Sequence, residues 1–338
     1  MNFAYLIRRL MLAIPMLLGI SFALFMIYNI VQVDPLVMIV GDRALDDPEV
    51  VATATQKWGL DRPIYEQYLR YVSNLVQGDL GVSFLTRRPV IDDLKSHLPA
   101  TIELAISSLL FAIVVGIPLG ILAGVKYRSW LDRIIWLVSL LNASLPPFWT
   151  GLIALTIFYY YLGITSGPGR LDPRMATPEH VTGLLTVDSL LAGDMAAFKS
   201  TLSHLVLPTL ILGSYTLALV LRVTRSSMIE IMRQNYVRTA YAKGLRERSV
   251  VIGHALRNAL IPLVTILGLA FAELLSGAVM TETVFDWPGL GRYLVRAAVN
   301  LDYPAIQGGT LLIALIFIMV NITVDLLYGI LDPRIRNE

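Results

Sequence analysis

The sequence predicts an all-α integral membrane protein with six spanning helices. Three observations carry this reading. Of the 338 residues 56% are hydrophobic and only 15% charged, and the mean hydropathy is +0.66, too apolar for an ordinary soluble domain. Six stretches reach the length of a span, since about 20 apolar residues at 1.5 Å each cross a hydrocarbon core roughly 30 Å thick. The cations, finally, are segregated to alternate connecting segments. Helices are the default because an unpaired strand leaves its backbone groups unsatisfied in lipid.

The spans fall near Leu10–Val33, Thr101–Val125, Ile134–Leu162, His204–Leu221, Ala259–Met280 and Gly308–Leu331. The whole chain reads as a single membrane domain. Arg8-Arg9 precede an apolar run longer than a signal-peptide core and without a small-residue cleavage site, so the first stretch is read as a retained span. In the second, Gly116, Gly120 and Gly124 recur every four residues, a stripe that lets another helix approach closely. The third overruns the bilayer and is expected to tilt or bend. Pro146-Pro147 supply the bend, because proline removes helix hydrogen bonds.

Lys and Arg are retained on the cytoplasmic side. With the N-terminus inside, the inner segments hold fifteen cations and five acids, and the outer ones 12 cations and 17 acids. Net charge is then +10 inside and −5 outside, with Glu103, Glu273 and Asp325 left in the spans. Both termini are placed in the cytoplasm. The overall charge of +2 hides this asymmetry, and a nucleic-acid partner is not needed to explain the basic loop.

Four connecting stretches carry organisation. The large external loop 34–100 contains Ile64, Tyr68, Val72, Leu75 and Val76 at helical spacing, which predicts an amphipathic helix against the bundle or the membrane surface. Gly163–Ser203 is rich in Gly and Pro at its start. Thr281–Gln307 holds Phe285-Asp-Trp-Pro-Gly-Leu-Gly291, expected to fold back onto the outer face of the spans. The fourth, the cytoplasmic loop 222–258, is basic and contains Tyr236-Val-Arg-Thr-Ala-Tyr-Ala-Lys-Gly-Leu245. Its first part has good helix formers, and Gly244 can take the left-handed conformation that ends a helix and turns the chain. A short helix, a sharp corner and a second helical stretch toward Arg257 are expected. Ala240 and Ala242 are small enough for a partner to approach the backbone, while Tyr241 and Leu245 suit a groove.

Zero cysteines exclude disulfides and thiolate metal sites. His97, His180, His204 and His254 are scattered, without metal-ligand spacing. No G-x-x-x-x-G-K-[ST] phosphate loop is present, so no cofactor is expected on this chain and no catalytic role is assigned.

Seven motifs in order resemble one family almost end to end: Trp58-Gly-Leu-Asp-Arg-Pro63, Gly78-Asp-Leu-Gly-Val-Ser83, Arg222-Val-Thr-Arg-Ser-Ser-Met228, the Tyr236–Leu245 run, His254-Ala-Leu-Arg-Asn-Ala-Leu-Ile-Pro262, Thr281-Glu-Thr-Val-Phe285 with Trp287-Pro-Gly-Leu-Gly291, and Asp332-Pro-Arg-Ile-Arg336. The chain resembles a permease subunit of the dipeptide/oligopeptide/nickel class of ATP-binding-cassette importers, of the dipeptide "B" type. Such importers share a Glu-Ala-Ala, three residues, Gly signature with a later Ile-x-Leu-Pro. Here Arg238-Thr239-Ala240 takes the first place and Gly244 follows at the right spacing. The tail departs, with His254-Ala-Leu-Arg257 where Ile-x-Leu-Pro is expected and the proline only at Pro262.

The resemblance implies a type I importer-like transmembrane domain in the bacterial cytoplasmic membrane, paired with a second homologous permease. Its further partners are two ATPase subunits, which use the ATP, an extracytoplasmic substrate-binding protein and the surrounding lipid. Tyr236, Arg238, Thr239, Ala240, Tyr241, Lys243, Gly244 and Leu245 become the coupling helix and corner. The implied cargo is short peptides; nickel complexes, opines, glutathione and peptide antibiotics are alternatives in the same class. A stand-alone ion-coupled transporter would show inverted repeats and an essential mid-membrane carboxylate, and a scaffold or receptor would bring no ATPase with it.

Ionisable groups in spans usually face a bundle interior or water. Glu273 lies mid-span with Ser276 one turn on, suited to a hydrated path and a peptide's ammonium end. Asn142, Ser144 and Pro146 mark either a structural kink or the border of the same path. Glu103 and His204, at span starts, are read as reaching the headgroups. Asn321 and Asp325, one turn apart, suit an interhelical hydrogen bond or a pair with an arginine.

Overall fold

The computed structural model describes residues 3–30, 46–58 and 61–331. The expectations that rest on residues 31–45, on the Asp325 side chain and on the motif Asp332–Arg336 lie outside the described residues. In chain order the helices are α1 (Phe3–Ile30), α2 (Pro48–Trp58), α3 (Ile64–Val76), α4 (Val90–Val125), α5 (Trp130–Ser144), α6 (Pro147–Ala154), α7 (Leu185–Leu191), α8 (Met195–Ile231), α9 (Asn235–Ala242), α10 (Glu247–Ser249), α11 (Arg257–Gly277), α12 (Val279–Val284), α13 (Leu290–Val299) and α14 (Tyr303–Leu331). Wider π turns extend α6 over Leu155–Tyr161 and lead into α11 over Val250–Leu256. No strand occurs among the described residues, only an isolated bridge between Val82 and Pro89.

Among the described residues three helices are long and apolar enough to cross a membrane, Val90–Val125, Met195–Ile231 and Tyr303–Val324, and five if each of two bent pairs is one span. The stretches expected at 101–125 and 204–221 lie inside α4 and α8, which run on beyond them. In α8 the extension begins at an N-cap, Asp194, whose carboxylate accepts from the amides of Ala196 and Ala197. The bent pairs are Trp130–Asn142 with Pro147–Tyr161, at 99°, and Glu247–Leu260 with Pro262–Ser276, at 54°. Each break sits at proline, where the ladder loses a donor. Met11–Ile27 in α1 is a shorter apolar helix.

The chain divides into two compact units. The first comprises residues 3–5, 97–292 and 316–331 of the described chain. In it α4 packs on α8 along the glycine stripe: a Cβ built on Gly120 or Gly124 would fall 2.6 Å from the Cβ of Thr224 or Met228. One buried cluster joins Leu104, Leu205, Leu212, Leu274, Leu275 and Trp287, and a second joins Ala112, Val220 and Leu263.

Polar staples close one end of this unit. The Trp287 indole donates to the Ala100 carbonyl at 2.8 Å, so the turn-rich cluster folds onto α4. Glu282, fully buried, accepts from the Thr101 hydroxyl at 2.6 Å and the Arg292 amide at 3.0 Å. Glu103 and His204 correct the headgroup expectation, since both are buried. The Arg170 guanidinium donates to Glu103 at 2.5 Å, and the Thr186 amide and hydroxyl donate to it at 2.8 and 2.7 Å. His204 Nδ1 lies 2.7 Å from the Ser200 carbonyl.

The second unit comprises residues 6–30, 46–58, 61–96 and 293–315 of the described chain. Here the expected loop helix is α3. Tyr68 stands edge-on to Phe22, and its hydroxyl reaches Ser21 and the Leu18 carbonyl of α1. Ile64 and Val76, expected on the same packed face, are instead exposed. Asp302 accepts from the Ser83 hydroxyl and from the amides of Phe84 and Leu85, pinning the turn before α4.

Candidate functional site: a helix-corner knob and a carboxylate-lined cavity

The basic loop forms α9, a corner, and the short α10 leading through π turns into α11. The corner is a Schellman cap, in which the Leu245 amide bonds to the Ala240 carbonyl and the Gly244 amide to that of Tyr241, at 3.4 and 2.9 Å. Gly244 stands at φ +75° with nothing within 4 Å of where a Cβ would sit, so glycine is required here by backbone conformation and not by crowding. Val237 and Ala240 are buried on Val250, with Ile231 and Met232 packed around them. Ala240 is therefore not a landing place for a partner: helical spacing from Val237 turns it inward onto its own chain. Tyr236, Arg238, Thr239, Tyr241, Lys243 and Leu245 are exposed. The Tyr236 hydroxyl accepts from the Asn258 amide at 2.9 Å, which ties the knob to the first turn of α11.

The second feature is a cavity of about 380 Å³ lined by Ser144 to Pro147 at the α5–α6 break, Leu212, Tyr215 and Thr216 of α8, and Glu273 and Leu274 of α11. Pro146 and Pro147 lack the amides that would close the helix onto the Asn142 and Ala143 carbonyls. α5 thus ends with the negative end of its dipole at the cavity. Glu273 is the one charged residue in the lining, and its carboxylate has no hydrogen bond or ion pair among the described residues. The arrangement favours a cation or ammonium group. Of the residues expected on a path, the cavity gathers Ser144, Pro146 and Glu273. Asn142 and Ser276 do not line it: the Asn142 amide donates to the Val138 carbonyl, and the Ser276 hydroxyl to those of Ala272 and Glu273. Among the described residues no group of three or more His, Asp or Glu side chains can hold a metal ion.

The Glu103–Arg170 and Thr101–Glu282 pairs escaped sequence reasoning. The only local signal was acids placed immediately at span ends, beside a Trp-Pro-Gly turn. Burial pushes the Glu282 carboxyl above the ordinary glutamate range, against the bonds from Thr101 and the amides of Arg292 and Gly291. For Asp188 burial also acts upward, but bonds from the Thr182 hydroxyl and the amides of Thr182 and Gly183 prevail and hold it below the usual aspartate range.

A multi-helix membrane protein with broken spans is the class that this geometry defines. A chain of the MetNI methionine ABC transporter has the same fold, with a TM-score of 0.52 over 69% of this chain and 93% of that one, at 16% identity. Residues 116–337 match the family described as binding-protein-dependent transport system inner membrane component, and residues 2–105 match its N-terminal membrane component. The chain belongs to that family. It is 44% identical over 335 residues to the di/tripeptide transport system permease protein DppB of Pseudomonas aeruginosa, covering 99% of both chains. It is 45% identical to the probable D,D-dipeptide transport system permease protein DdpB of Escherichia coli, over 94% of this chain and 93% of that one. The glutathione transport system permease protein GsiC of Escherichia coli is 38% identical over 98% of both. The chain is thus an integral membrane transport subunit and not an enzyme.

Proposed function

We propose that this chain is one of two homologous permeases that together line the path of an ATP-driven importer for short peptides. Near-complete alignment with di/tripeptide and dipeptide permeases at 40% identity or more is the observation that supports the cargo. Six spans cross the membrane with both termini in the cytoplasm, which agrees with the charge asymmetry of the loops. Two ATPase subunits bind and hydrolyse the ATP, and an external binding protein delivers the peptide.

In this reading α9 is the coupling helix. Its exposed residues Tyr236, Arg238, Thr239 and Tyr241, with Lys243 and Leu245 of the corner, meet an ATPase, while Val237, Ala240 and the Tyr236–Asn258 bond carry the push into α11. The residues act as a rigid lever because the corner at Gly244 is closed by two backbone bonds. The cavity on the α5–α6 break is a segment of the path, where Glu273 receives the ammonium end of the peptide and Ser144 and Pro146 border it. ATP shifts the permease only as far as the ATPases bind its two states differently.

Uptake of a labelled dipeptide into vesicles carrying the complete transporter tests this. Uptake that needs ATP, needs the binding protein and is lost on Gly244→Pro supports it; uptake driven by an ion gradient alone overturns it. The likeness to a glutathione permease favours a tripeptide as a second cargo, read out by competition in the same assay.

A further inference from the structure

We propose that the turn between α4 and α5 is a binding site for the phosphate of an anionic phospholipid headgroup. The turn, residues 126–129, carries Lys126, Tyr127 and Arg128, with Arg128 in the left-handed region at φ +66°. Arg225, near the C-terminal end of α8, and Arg233, just after it, reach the same place. Guanidinium carbons of Arg128, Arg225 and Arg233 lie 5.4, 5.5 and 5.8 Å from the centre of the Tyr127 ring.

One carboxylate balances three guanidiniums. Asp132, buried at the start of α5, takes Arg225 in two bonds of 2.5 and 2.9 Å, and its remaining acceptor capacity goes to the Arg128 amide at 2.9 Å. The guanidiniums of Arg128 and Arg233 have no carboxylate partner among the described residues. Two uncompensated positive charges therefore sit on one exposed ring. Cation–π contact offsets little of their repulsion at an exposed site, whereas a phosphate offers charge and several acceptor oxygens to planar donors.

The surroundings select a lipid phosphate over a soluble one. Trp130, the first residue of α5, is 68% exposed, and Ile134, Leu137, Val138 and Leu141 beyond it are each half exposed or more. That apolar face begins within a turn of the cations. Tyr127 and Trp130 are the residue types found at the membrane boundary, so a headgroup bound in the turn would lay its acyl chains along α5. The proposal does not depend on which cargo the permease carries.

The test compares two lipids of matched acyl chains, fluorescent phosphatidylglycerol and phosphatidylcholine, bound to the full-length chain in mild detergent. Basic residues near a lipid surface contribute enough for two of them to give wild type a roughly ten- to thirtyfold preference for phosphatidylglycerol. Arg128→Gln with Arg233→Gln should abolish that preference, and Arg128→Lys with Arg233→Lys should keep most of it, with unfolding midpoints confirming that both fold. Arg246→Gln with Arg248→Gln, which removes equal charge from the exposed loop, should leave it unchanged. The idea is overturned if the Gln pair keeps the preference, if the control pair loses it equally, or if inorganic phosphate displaces the lipid at comparable concentration. It is overturned too if the Gln pair loses only the capture of an ATPase subunit, which would make the cluster a protein dock.

Discussion

Thr101 and Glu282 meet in a 2.6 Å hydrogen bond although 181 residues separate them in the chain. Thr101 also accepts from the Leu290 amide at 2.8 Å, so one hydroxyl and one carboxylate hold α4, α12 and the start of α13 together. Removing either partner leaves a buried polar group unpaired, at a cost of about 1–3 kcal/mol. Thr101→Val should lower the unfolding midpoint of the purified chain. Gly289→Ala should do the same, because its Cβ would collide with the Glu282 carboxylate.

Glu282 and Asp188 should respond to pH in opposite senses. The Glu282 carboxyl is raised, mainly by burial, so its contribution is full below the unfolded glutamate value and is lost as pH rises through the folded one. The Asp188 carboxyl is lowered, so its contribution is present above the unfolded aspartate value and is lost as pH falls through the folded one. Melting curves between acid and neutral pH should show Glu282→Gln flattening the loss on the alkaline side. Asp188→Asn should flatten the loss on the acid side; equal slopes in variant and wild type would refute the assignment.

The glycine stripe should rank by crowding. A Cβ at Gly120 would meet Thr224 at 2.6 Å and the Leu221 carbonyl at 2.9 Å, whereas at Gly116 the nearest atom is Val220 Cγ1 at 3.0 Å. Backbone cannot yield as a side-chain tip can, so Gly120→Ala should cost about 1–3 kcal/mol and Gly116→Ala less. Thermal stability in detergent measures the order, and a reversed order would contradict close packing of α4 on α8.

At the corner, Gly244→Ala meets no obstacle and should cost only the left-handed penalty, about 1 kcal/mol. Gly244→Pro also deletes the amide bonded to Tyr241. The first should retain much of the uptake; the second should insert normally and transport nothing, as read by membrane yield and peptide uptake side by side.

Glu273→Gln keeps the size of the side chain and removes its charge. Uptake of a dipeptide with a free amino end should fall about tenfold or more, for loss of a charge-assisted contact, while an N-acetylated dipeptide should lose little relative to wild type. Identical losses for both cargoes would remove the ammonium role.

Much of the fold was legible because its signals are local. Runs of about twenty apolar residues report the long helices α4, α8 and α14, Pro146-Pro147 report a break, and Gly244 reports a corner that only a left-handed residue turns. The site was legible in part. Ser144, Pro146 and Glu273, singled out separately along the chain, line one cavity, but Asn142 and Ser276 spend their polar groups on their own helices. Ala240 faces inward because Val237 and Val250 set the buried side of α9, information that composition alone does not contain.

By itself, then, the sequence determined the helical membrane class, the family and the positions where the chain bends, since hydropathy and backbone freedom are properties of short windows. Only the tertiary structure decided which polar groups pair. Glu103 with Arg170, Glu282 with Thr101 and Asp132 with Arg225 join residues 67 to 181 positions apart. Burying a carboxylate is tolerable only once a donor from elsewhere in the chain has been folded against it, and no window of sequence records which donor that is.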